Sequence, residues 1–538
     1  MVRPTAQPAL SLLLTTLLMS VLAGCESTPH DDGPMGMDSS SWRAPIELIP
    51  EAIGTRSWAI TTRSSDAQAY FDQGMALRWA YNVNEAARSM REARSADPAC
   101  AMCWWGEAFA LGSFLNGGMS KEKSADAHAA IVEAHHHAGA ATAVEQALIR
   151  AALTRYPADY DPAARREVDE AFADAMRGVY EAYPNHHDVA VVYAVALFML
   201  EERRGNRDLD DPDVQRLHGV LTGVLDDDIR HPGACHLYIH ATESTTNPGL
   251  ALPCAEYLSE TIPVASHIQH MPSHTWNEVG MWHRSVRANV EALKSDRRAR
   301  DGQGFSYGAI HNLHMLLFAA SYDGQGAAAT QAGRDFRKLS DNAMYEALTL
   351  LRFGRFDEIL ELDERPEYDI GAALWDFAQG YASLRMGDRD RAIRMRDACL
   401  TFATTTEATF RFHPARHVVG PVAHILAGEI ERADGNLTAA IASFREAARI
   451  EDEMEYDEPE PLPFAARHWL GAALLESGNA ADAEVEYRIE LADHPHDVWS
   501  LTGLQRALDA QGRSDPAVAE DLRAGSARVD HWFDTSRF

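Results

Sequence analysis

Cysteine is scarce, six residues in a chain of 538, so no dense disulfide framework can be the main source of stability. Positive charge is also in short supply. The 49 Lys and Arg face 80 Asp and Glu, a formal net charge of −31 with no basic stripe, and this argues against a nucleic-acid partner. Several chemical signatures are missing: there is no Gly-rich phosphate loop, no Gly-x-Ser-x-Gly elbow and no His-Glu-x-x-His. Cys103 is followed by Trp104, which excludes a haem attachment motif of the Cys-x-x-Cys-His kind. Beyond the N-terminus no apolar run reaches the length of a membrane helix. What remains is 46% apolar and 24% charged, a composition that buries a large core and is too apolar for wholesale disorder.

The N-terminus carries an apolar run from Ala9 to Ala23 after Arg3, ending in Leu22-Ala23-Gly24-Cys25. This tetrad resembles the lipobox of bacterial lipoproteins. The resemblance implies a signal peptide over 1–24 and acyl chains, palmitate among them, on Cys25; an ordinary signal peptide with a chance Cys is the alternative. Residues 25–60 are expected to be the lipidated Cys and a flexible tether, rich in Ser, Pro, Gly and Asp around Thr28-Pro29-His30-Asp31-Asp32-Gly33-Pro34. Glu26 follows the Cys in place of the Asp tied to inner-membrane retention, so the expected location is the cell envelope, at the outer membrane facing the periplasm. The membrane is then a partner through the lipid on Cys25.

From there apolar residues recur at helical spacing through the body, 61–538. Gly74, Ala86, Met90, Ala93 and Pro98 mark a repeating unit, and the same spacing returns at Gly380, Gly387 and Ala392. It recurs at Gly428, Gly435, Ala440, Phe444 and Ala447, and again at Gly471, Gly478, Ala483, Tyr487 and Pro495. Small residues let two helices of a hairpin approach, and bulky ones plug the next hairpin. The pattern resembles the tetratricopeptide repeat (TPR) family. The resemblance implies an all-α superhelix, an α-solenoid of helical hairpins whose first helices line a concave groove. The stretch 145–228 is helical without clean spacing. The acidic, Pro-rich Tyr456-Asp457-Glu458-Pro459-Glu460-Pro461 segment reads as a loop or hinge.

Histidine is concentrated between 231 and 314. His236, His240 and Glu243 share about 60° of one helix, and so do His267, His270 and His274. Gly280, Trp282, Ser285, Asn289 and Ala292 set the register of the second trio and place it on the groove side. His236 and His240 precede His270 and His274 by 34 residues, so the pair recurs in phase on neighbouring repeats. His311 and His314 fall on matching places of the next unit. Imidazoles at corresponding positions of packed helices, about 8–10 Å apart, reach a common point. The expected metal ligands are therefore His236, His240, Glu243, His267, His270, His274, His311 and His314, for a transition metal ion such as Zn, Cu or Fe. Eight candidates exceed one tetrahedral shell, so a dinuclear site and a single site with spare imidazoles stay open. Pro272 is expected to kink or restart its helix. Segments of the form His-x-x-His-Met-Pro-Ser-His occur in a group of bacterial TPR proteins, a resemblance that implies a shared role and names no reaction.

The competing reading is a metal-free scaffold whose groove binds a peptide or protein partner, with the histidines serving hydrogen bonds. A metal-dependent enzyme of unassigned reaction is a further alternative. Single histidines such as His231, His283 and the His135-His136-His137 run read as packed or solvated, and the Arg411-Phe412-His413 segment either covers the groove or packs on the surface. Cys100 and Cys103 suit a local disulfide or simple packing, and Cys235 and Cys254 lie within bridging reach across one hairpin. The acidic excess predicts a groove that favours a cation or a basic partner.

Overall fold

The computed structural model describes residues 41–49, 56–202, 205–300 and 302–538. The signal peptide, Cys25 and most of the tether lie outside the described residues. The described chain is all-α, a succession of helices in which each packs on the next as stacked hairpins; one two-residue strand pair at Thr409–Phe410 and His413–Pro414 is the exception.

The repeat spacing has a direct physical expression. A Cβ on Gly428 would stand 2.4 Å from the Phe444 ring, and one on Gly471 or Gly503 would strike Tyr487 from either side. Only hydrogen fits at these crossings, so the bulky residue of one helix fills the notch its neighbour leaves. The hairpin turns use Gly280, Gly324, Gly387, Gly435 and Gly478 at positive φ, a conformation that L side chains rarely adopt. The irregular stretch resolves into Ala143–Arg155 on Arg165–Ala182 and His187–Phe198 on Pro212–Leu225, joined by connections longer than the repeat's own turns.

One expectation changes. Residues 41–49 and 56–60 belong to the body, not to a tether: Trp42, Ile46 and Trp58 are buried, and Trp58 packs edge-on against Phe71 and Trp105. Burying a large apolar side chain is worth roughly 1.5–3 kcal/mol, which outweighs the Ser- and Pro-rich average of the neighbouring sequence. The acidic connector is a loop, as expected, and Asp457 and Glu458 within it are buried. Arg411 clamps it, donating to the carbonyls of Glu458 and Pro459 and pairing with Asp457 at 2.6 Å.

Two apolar cores result, one running from Trp42 to Phe305 and one from Trp282 to Val518. C-terminal hairpins return onto central ones: Trp282 Nε1 donates to the Pro495 carbonyl, and Trp499 Nε1 to that of Ser321. The histidine-rich hairpins sit at the seam between the cores, and their inner side is covered by the chain itself. The open groove expected there is closed.

Candidate metal centre

Three helical segments deliver the imidazoles. The helix Pro232–Thr242 is capped by His231, whose Nδ1 accepts from Ala234 N, and Pro232 presets its first turn. It carries His236 and His240 on one face. The next segment is Ser266–His270 followed by Pro272–Glu278: Pro272 has no N–H to give, so the hydrogen-bond ladder breaks there and restarts. Met271 keeps α-helical φ and ψ, so the axis continues and His267, His270 and His274 still share a side. The helix Ala309–Tyr322 adds His311. The long connection before it returns to the start of the second segment, where Ser266 N donates to the Phe305 carbonyl and Tyr307 N to Ser266 Oγ.

The rings meet. His236 Nε2 lies 3.1 Å from His267 Nε2, and His270 Nε2 lies 3.2 Å from His274 Nε2. Two nitrogens bound to one tetrahedral ion at about 2.0–2.1 Å stand about 3.3 Å apart, so both spacings suit shared coordination. Donor atoms of His236, His240 and His267 all fall within 4.8 Å of one another, as do those of His270, His274 and His311. His236, His240, His267, His270 and His274 are at most 2% exposed. His240 Nε2, His267 Nδ1 and His270 Nδ1 are buried without a hydrogen-bond partner, which costs roughly 1–3 kcal/mol each.

Behind the rings stand two carboxylates. Glu243 Oε1 is 2.9 Å from His240 Nδ1, and its Oε2 is 2.7 Å from His274 Nδ1. Glu458 Oε2 adds a contact of 3.1 Å to His274 Nδ1. His236 Nδ1 donates to the Trp79 carbonyl. For His236 and His240 the Nδ1 side is engaged and Nε2 keeps its lone pair, the tautomer that a carboxylate or carbonyl behind a metal-bound imidazole enforces. Glu243, expected among the ligands, lies on the Nδ1 side of His240 and His274, a place from which a carboxylate orients the rings or joins a donor group with them. His240, Glu243, His274 and Glu458 also bring four donor atoms within 4.8 Å of one another.

Burial, reinforced by neighbouring imidazoles, holds His236, His267 and His270 well below the usual histidine pKa. Burial also lowers His240, partly offset by Glu243. These rings are neutral at pH 7, the form that binds metals. His274 differs: burial opposes its charge, but Glu243 and Glu458 outweigh it and raise the pKa to about 9.

His314 does not join the group. Its Nδ1 accepts from Arg411 at 2.9 Å and its ring lies 4.3 Å from Tyr345, because three residues beyond His311 the helix faces the following hairpin. His231 pairs with Asp188 at 3.3 Å and is structural. Cys100 and Cys103 are disulfide-bonded, whereas Cys235 and Cys254, which were within bridging reach, are free buried thiols.

Two kinds of residue escaped sequence reasoning. Glu458 lies more than two hundred residues from Glu243 and hid in a segment whose composition reads as a loop or hinge. Tyr81 and Tyr307 close the inner side, with Tyr81 4.2 Å from the His236 ring and 5.0 Å from His267, and Tyr307 4.5 Å from His267. Tyr81 has φ 58°, a conformation rare for a side-chain-bearing residue and concentrated at functional sites, but nothing in the sequence announces it.

No protein-family model matches the chain, and no curated protein matches it. Among solved structures it is similar to a human IFIT1 dimer with m7Gppp-AAAA, at 10% identity over 88% of this chain and 92% of that one, with a TM-score of 0.30. The P58(IPK) TPR domain aligns at 11% identity over 83% of this chain and 99% of that one, TM-score 0.22. The APC/C hetero-tetramer Cut9-Hcn1 aligns at 12% identity over 85% and 76%, TM-score 0.28. The TPR-like architecture of this chain rests on its own hairpins and their small-to-bulky crossings.

Proposed function

We propose that this chain is a TPR-like metalloprotein whose seam holds transition-metal ions between His236, His240 and His267 on one side and His270, His274 and His311 on the other. The observation that carries the reading is the pair of Nε2-to-Nε2 spacings, 3.1 and 3.2 Å, among buried rings. Neutral imidazole suits Zn, Cu or Fe. Glu243 and Glu458 fix the orientation of His240 and His274 from behind, and Tyr81 and Tyr307 pack against the rings of His236 and His267. A metal held by three imidazoles keeps a coordination position for water or substrate, where it acts as a Lewis acid or activates a bound water. Metal-dependent catalysis is therefore within the centre's reach, and the reaction is unassigned.

A peptide or protein partner on the repeats is the alternative reading; the buried rings of His236, His240, His267, His270 and His274 lie out of its reach. The lipobox resemblance supports an envelope location with a tether through Cys25; Cys25→Ser is then expected to move the protein from the membrane to the soluble fraction.

Elemental analysis of protein purified without a His-tag and exposed to Zn, Cu and Fe tests the metal. One or two tightly held equivalents of one metal are expected, and less than a tenth of an equivalent of each would end the proposal.

A further inference from the structure

A narrow cleft opens beside the centre, walled by His274 and Glu458 at its inner end and by Glu460, Asp493 and His494 at its outer end. Between them stand Asp457, which is paired with Arg411, and Glu278, which burial pushes well above the usual carboxyl range; no Lys or Arg is among the lining residues. Exposure falls steadily along this wall: side chains are 74% exposed at Asp493, 32% at Glu460, 8% at His494, 3% at Glu458 and 1% at His274. Carboxylates thus lead in steps from solvent to an imidazole of the centre.

The outer group is compact as well as acidic. His494 Nε2 is 3.4 Å from Glu460 Oε1, and its Nδ1 is 2.8 Å from Glu490 Oε1 and 3.8 Å from Asp493 Oδ2. Glu460, Asp493 and His494 bring three donor atoms within 4.8 Å of one another. A separate observation points to a cation within the cleft: Asn277 lines it, is 4% exposed, and its Oδ1 has no hydrogen-bond partner. A buried carbonyl oxygen of this kind is an acceptor that a partly hydrated ion satisfies. The low-dielectric walls Trp282, Met315 and Phe318 strengthen the attraction of the carboxylates for such an ion.

We infer that this cleft is the loading vestibule of the centre, in which Glu460 and Asp493 capture a divalent transition-metal ion from solvent and pass it by way of Asn277 and Glu458 to His274. The inference rests on the metal reading above and adds a route and an entry site to it. The outer site binds weakly and speeds arrival; the imidazoles bind tightly and set the final occupancy.

The test is the rate at which the metal-stripped full chain takes up Co²⁺, followed by the visible absorption of the imidazole-bound ion. Glu460→Gln combined with Asp493→Asn is expected to slow uptake at least tenfold at low salt, to flatten its salt dependence, and to leave the final Co²⁺ per chain unchanged. Asp493→Asn alone, at an exposed position that leaves the fold intact, is expected to slow it about threefold. Equal rates in wild type and both variants overturn the vestibule while leaving the centre standing. A lower final occupancy in the double variant also overturns it, because the residues would then belong to the centre. If the wild type binds no Co²⁺, the metal reading fails and the vestibule with it.

Discussion

His270 in the central hairpins and His468 in the C-terminal ones are equally inaccessible, both 0% exposed, yet they differ nitrogen by nitrogen. His468 Nδ1 accepts from Ala465 N at 3.3 Å, and its Nε2 donates to Asp497 Oδ2 at 2.8 Å. Asp497 in turn accepts from Trp499 N and Ser500 N, capping the helix Val498–Ala510. That imidazole is a joint between repeats, with every polar atom answered. His270 faces another imidazole at 3.2 Å through Nε2, and its Nδ1 has no partner. Burial alone therefore does not mark a binding site. A buried histidine with complementary partners is architecture, whereas buried histidines that face one another are in the arrangement a cation completes.

The largest expected effect that separates the two regions is on metal content. Replacing His270 and His274 together by Ala should remove at least one equivalent of metal while the far-ultraviolet circular dichroism stays helical; retention of full stoichiometry would break the contrast. The matching change in the C-terminal joint, Asp497→Ala, should leave metal content untouched and cost about 2–4 kcal/mol of folding stability, through the lost cap and the lost charged hydrogen bond. Denaturant unfolding measures this, and a loss below 1 kcal/mol would deny the joint its role.

Glu243→Gln sharpens the comparison at a finer level. If the carboxylate orients two rings from behind, affinity for metal should drop about 10–100-fold with stoichiometry intact; loss of a full equivalent would instead make Glu243 a ligand. The smallest effect is on pH dependence of the metal-free protein. His236, His267 and His270 have folded pKa values below 6.5, so the unfolded chain takes up protons first and stability is lost as pH falls below about 6.5. His274 is raised to about 9, so its contribution is full below pH 6.5 and is lost as pH rises to about 9. Tm should therefore peak near pH 6.5–7, and His274→Gln should weaken the alkaline limb, which His494 shares, while leaving the acid limb as it is. An alkaline limb that persists unchanged in this variant would contradict the assignment.

Much of this was legible in the residues themselves because a repeat converts sequence distance into spatial position. The 34-residue interval between His236 and His270, and between His240 and His274, put their rings on neighbouring helices of one wall, and Pro272 announced where the second helix restarts. The small-to-bulky pairs, Gly428 with Phe444 and Gly471 with Tyr487, were equally direct. What escaped depended on contacts far apart in the chain. Glu458 reaches His274 only because Arg411 holds its backbone, and Asp457 with it, against the centre. His311 and His314 look equivalent by spacing, yet one faces His270 at 4.8 Å and the other faces Tyr345. Trp42 and Trp58 anchor a stretch whose surroundings read as tether, since composition averages over the few residues that decide burial.

An anomalous-difference Fourier map, from crystals of the metal-loaded protein at the absorption edge of the bound element, tests the account at its centre. A peak within about 2.2 Å of Nε2 of His236 and His267, of His270 and His274, or of both pairs is the predicted result. Density confined to the protein surface, with the paired imidazoles still in mutual contact, would contradict it.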